Sequence, residues 1–447
     1  MGLISRILES FTVLGRWTSS RRLERIVAAL ADRDSEVRQQ ALKDLEGLEL
    51  VDFLKPIHIP PATGIKMLRA AAKKYPAEPD FKEINSKLVR LLWNSPQPEF
   101  VPVIEEIYDK LEGKEEARES AVRLLTELKT PEALSLFARL LNRPSSRTID
   151  AGWILVPLKP SKELASRFLP EVLAAIPNVV DRGTLYNFAL EFANAGLADL
   201  GALASFADHC ETSAEELLGL HGDAIDAHSR RLDRLDRPPE NDPAADELSN
   251  RFHELEVLVD LLGHLSSERS LVFLRRLLGS KSFRLRLFAA GSLVRRKCPI
   301  DDSVLEKEAE LPRPRALLWS VLEGVGALDR FPKKHRTQES LAEAAMCEWL
   351  EFPTEMGCAP EEIRKLAKIR SVNQGKSVVA YFFKFRERRF SENNWLVGLA
   401  GPYPEGGPPV LHGRNTFSKF NPLDKMTLDE HIRDFVESDT IYTILER

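Results

Sequence analysis

The residues with the strongest chemical bias in this chain are basic. Between Leu271 and Lys297 stand Arg275, Arg276, Lys281, Arg284, Arg286, Arg295, Arg296 and Lys297, with no Asp or Glu among them. The stretch carries a formal +8 in a chain whose total is −5, so it is the part best able to concentrate an anionic partner. The competing expectation is internal neutralisation. Asp301, Asp302, Glu306, Glu308 and Glu310 follow directly, and Arg286 is suited to pairing with a neighbouring turn. A second cluster, Lys384-Phe-Arg386-Glu-Arg388-Arg389-Phe390, interleaves aromatics with cations, which suits stacking and phosphate contact with single-stranded nucleic acid. Tyr381, Phe383 and Phe385 also alternate with period two, as any half-buried strand does, and that structural reading is the expected one.

Catalytic and metal chemistry find less support. Gly375-Lys376-Ser377 resembles the tail of a phosphate-binding loop, but Arg370 stands where such a loop needs Gly, and Val378 to Phe382 reads as strand rather than helix. A hairpin turn is expected there instead. His209, Cys210, His221 and His228 gather within a short acidic segment, yet no pair has the spacing that sets two imidazoles on one helix face. Surface histidines are expected, and no metal site. No G-x-S-x-G elbow, H-E-x-x-H helix or G-x-G-x-x-G loop occurs, so no catalytic residue is assigned and no cofactor is expected.

Composition narrows the class further. With 43% hydrophobic and 29% charged residues the 447-residue chain is globular, neither disordered nor fibrous. Cys210, Cys298, Cys347 and Cys358 are far apart and form no C-x-x-C pair, which argues against a disulfide framework or a thiolate zinc site. No run approaches the roughly 18 to 20 apolar residues of a membrane span, and no signal-peptide pattern opens the chain. A cytoplasmic protein is expected. The stripe Leu3, Ile4, Ile7, Leu8, Phe11 and Leu14 is expected to cap a helical array rather than to touch a membrane.

The elements that must position these residues read as helix after helix from about Arg21 to Asp329, with apolar residues at spacings of three and four and short Pro, Gly, Asp or Ser connections. Two stretches superimpose without gaps. Leu125 to Leu141 matches Leu262 to Leu278 in its apolar positions and in a turn hydroxyl, Thr130 or Ser267. A second pattern occurs three times, as Val37-Arg38-x-x-Ala41-x-x-x-Leu45, Ala117-Arg118-x-x-Ala121-x-x-x-Leu125 and Leu285-Arg286-x-x-Ala289-x-x-x-Leu293. The small Ala admits a neighbouring helix and the flanking residues fill the groove around it. The fullest copy, Leu30 to Leu45 with Asp32, Asp34, Val37 and Arg38, resembles the HEAT repeat, in which a turn Asp and a Val-Arg pair open the second helix of each unit. That resemblance covers about two thirds of the chain. It implies a mostly α fold, an α-solenoid of stacked helical hairpins, whose usual role is to bind proteins and less often nucleic acid. Irregular helices are expected between about Asn142 and Asp246.

After about Thr337 the pattern changes. A helix over Ser340–Leu350 leads to three strands near Ile363–Val372, Ser377–Arg386 and Trp395–Ala400, the first two joined by a turn at Asn373-Gln374-Gly375-Lys376. Gly401 to Pro409 is expected to end the sheet, and a helix over Leu428–Val436, capped by Thr427, to close the chain. The expected organisation is a helical-repeat block at 1–232, a Pro-rich polar linker at 233–246, a second helical-repeat block at 247–336, and a small α+β domain with a short antiparallel sheet at 337–447. The expected function is that of a monomeric, non-enzymatic scaffold. It binds an acidic protein partner through Arg275, Arg276, Lys281, Arg284, Arg295, Arg296 and Lys297. The alternative is nucleic-acid binding, by the architectural analogy of HEAT-like DNA glycosylases, although none of their active-site residues maps onto this chain.

Overall fold

The computed structural model describes residues 20–54, 58–75, 83–143, 154–179, 182–234, 243–352, 355–357, 359–373, 376–386, 395–412, 416–419 and 421–437. The stripe from Leu3 to Leu14, Cys358 and the segment 387–394 lie outside them. The protein is mostly helical, with a small antiparallel sheet near its C-terminal end. It divides into two compact units, Met1–Phe206 and Ala207–Arg447.

The first unit holds α1 (Ser20–Ala29), α2 (Ser35–Leu54), α3 (Pro61–Ala71), α4 (Ile84–Arg90), α5 (Phe100–Ile107), α6 (Glu115–Leu128), α7 (Pro131–Leu141), α8 (Lys162–Ala165), α9 (Leu169–Leu173) and α10 (Arg182–Asn194). From α1 to α7 the helices pack mainly on the next element and the next but one, so odd-numbered helices form one row and even-numbered helices the other. The rows approach closely where the sequence is small. A Cβ on Gly64 of α3 would lie 2.4 Å from the Phe100 ring of α5, so only glycine lets these helices meet. Ala41, Ala121, Leu45 and Leu125 are buried as the repeated pattern requires. Val37, expected on the packed face, is instead 39% exposed, unlike its counterparts Ala117 and Leu285.

Among the described residues the irregularity expected after Asn142 is densest in its first part. Pro157, Pro160, Pro170 and Pro177 break 156–178 into short helices and tight turns, whereas no proline follows until Pro238. Regular helix therefore resumes, as α10 and as the 31-residue α11 (Ala204–Arg234), which runs on into the second unit. Asp233 and Arg234 still belong to α11, and Pro243 opens α12 (Pro243–Leu262). The polar tract read as linker is thus helical at both ends, since proline at a first helical position forfeits only an N–H that has no partner there. Residues 235–242 lie outside the described ones.

In the second unit α13 (Glu268–Leu277), α14 (Phe283–Arg295), α15 (Asp302–Ala309), α16 (Pro312–Gly324) and α17 (Gln338–Leu350) follow. Four of the five start at side chains that accept from unbonded amides: Ser267 from Ser270 N, Ser282 from Leu285 N, Asp301 from Ser303 N and Thr337 from Ser340 N; α16 opens on Pro312 instead. Ser267 and, in the first unit, Thr130 thus play the same capping part in the two stretches that superimpose in sequence. α12, α14, α16 and α17 pack successively, with α13 on α14 and α15 on α16.

The sheet runs β1 (Glu362–Asn373), β2 (Lys376–Arg386), β3 (Leu396–Pro404) and β4 (Thr416–Lys419), with the short β5 (Asn421–Pro422) also beside β3. Asn373 pairs with Lys376, which closes a two-residue hairpin where a phosphate loop was the alternative. One expectation is corrected. The sheet does not stop at Gly401, because β3 continues with Tyr403 opposite Val379 and Pro404 opposite Val378. A bulge between Val379 and Tyr381, with Gly401 at φ +126°, takes up the proline that lacks a ladder donor. α17 covers one face through Ala342, Met346 and Leu350 against Val379, Tyr381, Phe383 and Phe385. α18 (Leu428–Glu437) covers Phe382, Val397 and Leu399 on the other through Leu428 and Ile432. Thr427 and Glu430 cap α18 reciprocally, side chain to backbone amide in both directions.

Candidate functional site

The basic stretch is divided between two helices of different character. α14 has no exposed residue, and its cations are used inside the stack. Arg284 bonds Glu256 of α12 through both Nε and Nη2, the latter 3.0 Å from Oε2, and Arg295 reaches Asp260 of α12 at 2.5 Å. Arg286 reaches Glu308 of α15 at 2.7 Å. Arg296 donates to Ser270 Oγ at 2.7 Å and to the Ser267 carbonyl at 3.0 Å, tying the α14 end to the α13 cap. These bonds account for Arg284, Arg295 and Arg296, three of the seven residues read as binding a partner, without any ligand.

The acidic partners differ from those expected. Of the acids that follow the stretch Glu308 meets it, whereas Asp301 caps α15 and Asp302 pairs with Arg330 at 2.7 Å. The neutralising acids that sequence reading missed are Glu256 and Asp260, four apart on α12. Their signal was a pair of carboxylates one helical turn apart within an otherwise apolar run. Burial pushes the Glu256 carboxyl up, but contacts from His253 and Arg284 outweigh it and hold the group below its ordinary value. Glu256 in turn holds His253, 3.8 Å away, above the ordinary histidine value. Burial and the neighbouring Arg295 push His264, at the end of the same run, down to about 4.

Arg286 also shows what the repeated Arg does. It donates to the carbonyls of Ser280 and Lys281, six and five residues back, at 2.8 and 2.9 Å. Arg38 does the same to Asp32 and Arg33 at 3.0 and 2.8 Å. Arg315, which the sequence pattern missed, bonds Ala309 and Glu310 at the same two offsets, at 2.7 and 2.9 Å. In each case a guanidinium at the start of one helix closes the loop that leads into it, binding carbonyls left without a partner as the preceding helix ends.

α13 presents its cations outward. Glu268, Arg269, Val272, Arg275 and Arg276 form its exposed face, and Val272 is 58% exposed although apolar. Arg276 lies over the Phe273 ring at 5.0 Å, and Arg275 has no carboxylate partner among the described residues. Arg269 is bound to Glu215 of α11 at 2.7 Å and to Asp208 at 3.2 Å. Together Glu215, Glu268, Arg269, Val272, Phe273 and Arg276 line a depression of about 250 Å³. Lys297 is exposed beyond α14 because it holds the left-handed position, φ +57°, where the chain leaves the helix. Lys281 is exposed in the loop before α14.

The other candidates carry less. His209 is half-buried with Nε2 3.5 Å from Ser213 Oγ, and the side chains of His221 and His228 lie outside the described residues. Among the described residues no three His, Cys, Asp or Glu gather as a metal would require. Phe383 and Phe385 are fully buried, as the strand reading expected. No helix among the described residues is long and apolar enough to cross a membrane. No family model matches the chain, and no curated protein matches it.

Proposed function

We propose that this protein is a HEAT-like helical-repeat scaffold, a non-enzymatic monomer of the cytoplasm that docks an acidic segment of a protein partner on the outer face of α13. The observation that carries the reading is Val272, exposed and apolar, with Arg275 and Arg276 beside it on a helix whose inner neighbour has used its own cations within the stack. Arginine is among the residues enriched at protein-binding hot spots, and Val272 gives Arg275 and Arg276 an apolar neighbour on the same exposed face. The repeated Arg that closes the loops before α2, α14 and α16 supports the repeat assignment, because it makes the same two carbonyl bonds each time. Free thiols at Cys210, Cys298 and Cys347 fit a reducing compartment. A docking face of this size suits a peptide segment better than duplex DNA, which calls on a longer row of unspent cations.

The test is co-purification from the native host with the tagged full chain, beside the variant Val272→Asp, Arg275→Glu, Arg276→Glu. A partner with an acidic binding segment, held by the wild-type chain and weakened at least tenfold in the variant, is the expected result. A partner retained equally by both chains refutes the surface. Salt-dependent binding to duplex DNA that the same changes abolish turns the reading to nucleic acid.

A further inference from the structure

The sheet carries a second concentration of charge, away from α13. Trp395, which leads into β3, has three cations around one indole ring: Lys384 Nζ at 4.3 Å from the ring centroid, and the guanidinium carbons of Arg364 and Arg386 each at 5.5 Å. They come from two strands. Arg364 of β1 stands opposite Lys384 of β2, and Arg386 follows Lys384 on the same face. The face is shared with Phe382, whose end of the sheet α18 covers. At the Trp395 end the Arg364 side chain is 60% exposed and the indole is half-buried. Glu362 bonds Arg364 and lies 3.2 Å from Arg386, with Glu361 3.9 Å from Arg386. Lys384 has the indole and no carboxylate among the described residues.

Three like charges around one ring repel each other, and two carboxylates leave that repulsion incompletely offset. An anion there relieves it, and the indole adds a flat apolar surface that an anion alone does not use. Phosphate and an aromatic base in one ligand match both features. In a duplex the bases are stacked on one another, so the ligand's bases must be unpaired. We infer that the Trp395 end of the sheet binds a short stretch of single-stranded nucleic acid, a base stacking on the indole and phosphates meeting Lys384, Arg364 and Arg386. An acidic peptide answers the charge and leaves the ring unused.

The test uses the full chain and fluorescein-labelled oligo(dT), followed by anisotropy at rising salt. Binding is expected at low salt, with log affinity falling against log salt with a slope of about −2, the value for three phosphate contacts on a single strand. Trp395→Ala is expected to weaken binding roughly 5- to 150-fold, the effect of removing one stacked base platform. Trp395→Phe keeps a platform and should stay within about threefold, and Lys384→Gln should shallow the slope by about 0.7. Arg275→Glu with Arg276→Glu should leave this binding unchanged, which separates it from the α13 surface. If Trp395→Ala fails to fold, Trp395→Phe and Lys384→Gln decide. No binding at low salt overturns the inference, and so does binding by a folded Trp395→Ala chain equal to wild type. Oligoglutamate competing as well as unlabelled oligo(dT) also overturns it, because charge alone then suffices.

Discussion

Replacing Arg315 by Met tests whether the repeated arginine holds the helical stack together. The side chain is 4% exposed and makes four bonds: Nε to the Ala309 carbonyl at 2.7 Å, Nη2 to Glu310 O at 2.9 Å, and Nη1 to Ser340 O at 3.0 Å and to Glu343 Oε2 at 2.8 Å. One residue therefore joins the end of α15, the start of α16 and the first turn of α17. Met keeps most of the aliphatic stem, so the change isolates the guanidinium. Ala309 and Glu310 lose their partner for carbonyls at a helix end, each worth about 1.5 to 3 kcal/mol when the donor is charged. Ser340 O keeps a helical partner, and Glu343 is 27% exposed and recovers part of its loss from water. The expected cost is about 3 to 5 kcal/mol, in the range for breaking a buried ion pair. Arg315→Lys should recover no more than about half of it, because an ammonium is a point donor that cannot span carbonyls on one side and a carboxylate on the other. Hydrogen exchange read by peptide mass spectrometry is the suitable assay, since a chain of two compact units need not unfold in one step. Faster exchange should be confined to peptides of the second unit. A loss below about 0.5 kcal/mol, the ordinary size of a surface change, refutes the structural role given to this arginine.

Two further outcomes follow from packing and from burial. Gly291→Ala places a Cβ 2.2 Å from Val321 Cγ1, so the Val321 side chain or α16 itself must shift; a loss of roughly 1 to 2 kcal/mol is expected after the helix-propensity gain of Ala, and Val321→Ala in the same chain should restore most of it in urea melts. His264, with a folded value of about 4 against an ordinary 6.5, takes up a proton in the unfolded chain before it does so in the folded one. Its stability contribution is therefore intact above pH 6.5 and lost as pH falls from 6.5 toward 4, by roughly 1 to 2 kcal/mol after allowance for partial exposure. His264→Gln should flatten that part of the stability curve, and an unchanged slope counts against the assignment.

What was legible in the sequence was mostly local. Thr130 and Ser267 announce helix starts because capping needs only a hydroxyl and an amide three residues on. The hairpin between Asn373 and Lys376 and the boundaries of β1 and β2 were readable from alternation and turn residues for the same reason. The end of β3 was misread because a bulge is set by the partner strand, and nothing in Gly401 to Pro404 alone declares it. Glu256 and Asp260 were missed as partners of the basic stretch because they precede it, while the acids nearest in sequence drew attention. Arg315 escaped the repeat pattern because Leu318 stands where the pattern has Ala, although the guanidinium makes the same carbonyl bonds. Trp395 gave no signal of its own, since the three cations around it come from strands 9 to 31 residues away.

Charge counted along a chain and charge available to a partner differ in a predictable direction when helices stack in rows. A helix with neighbours on several sides hydrates its cations only in part, so each gains by finding an internal acceptor. α14 meets that requirement with Glu256, Asp260 and Glu308, so much of the formal +8 between Leu271 and Lys297 is structural charge that no ligand can use. An outer helix is under no such constraint, and whatever it leaves unpaired remains free to act on something else. α13 leaves Arg275 beside an exposed Val272, and β2 leaves Lys384 over the half-buried ring of Trp395. Each pairs a cation without a carboxylate with apolar surface that the fold has not covered. That combination, more than the length of a basic run, is what the two proposed docking surfaces rest on.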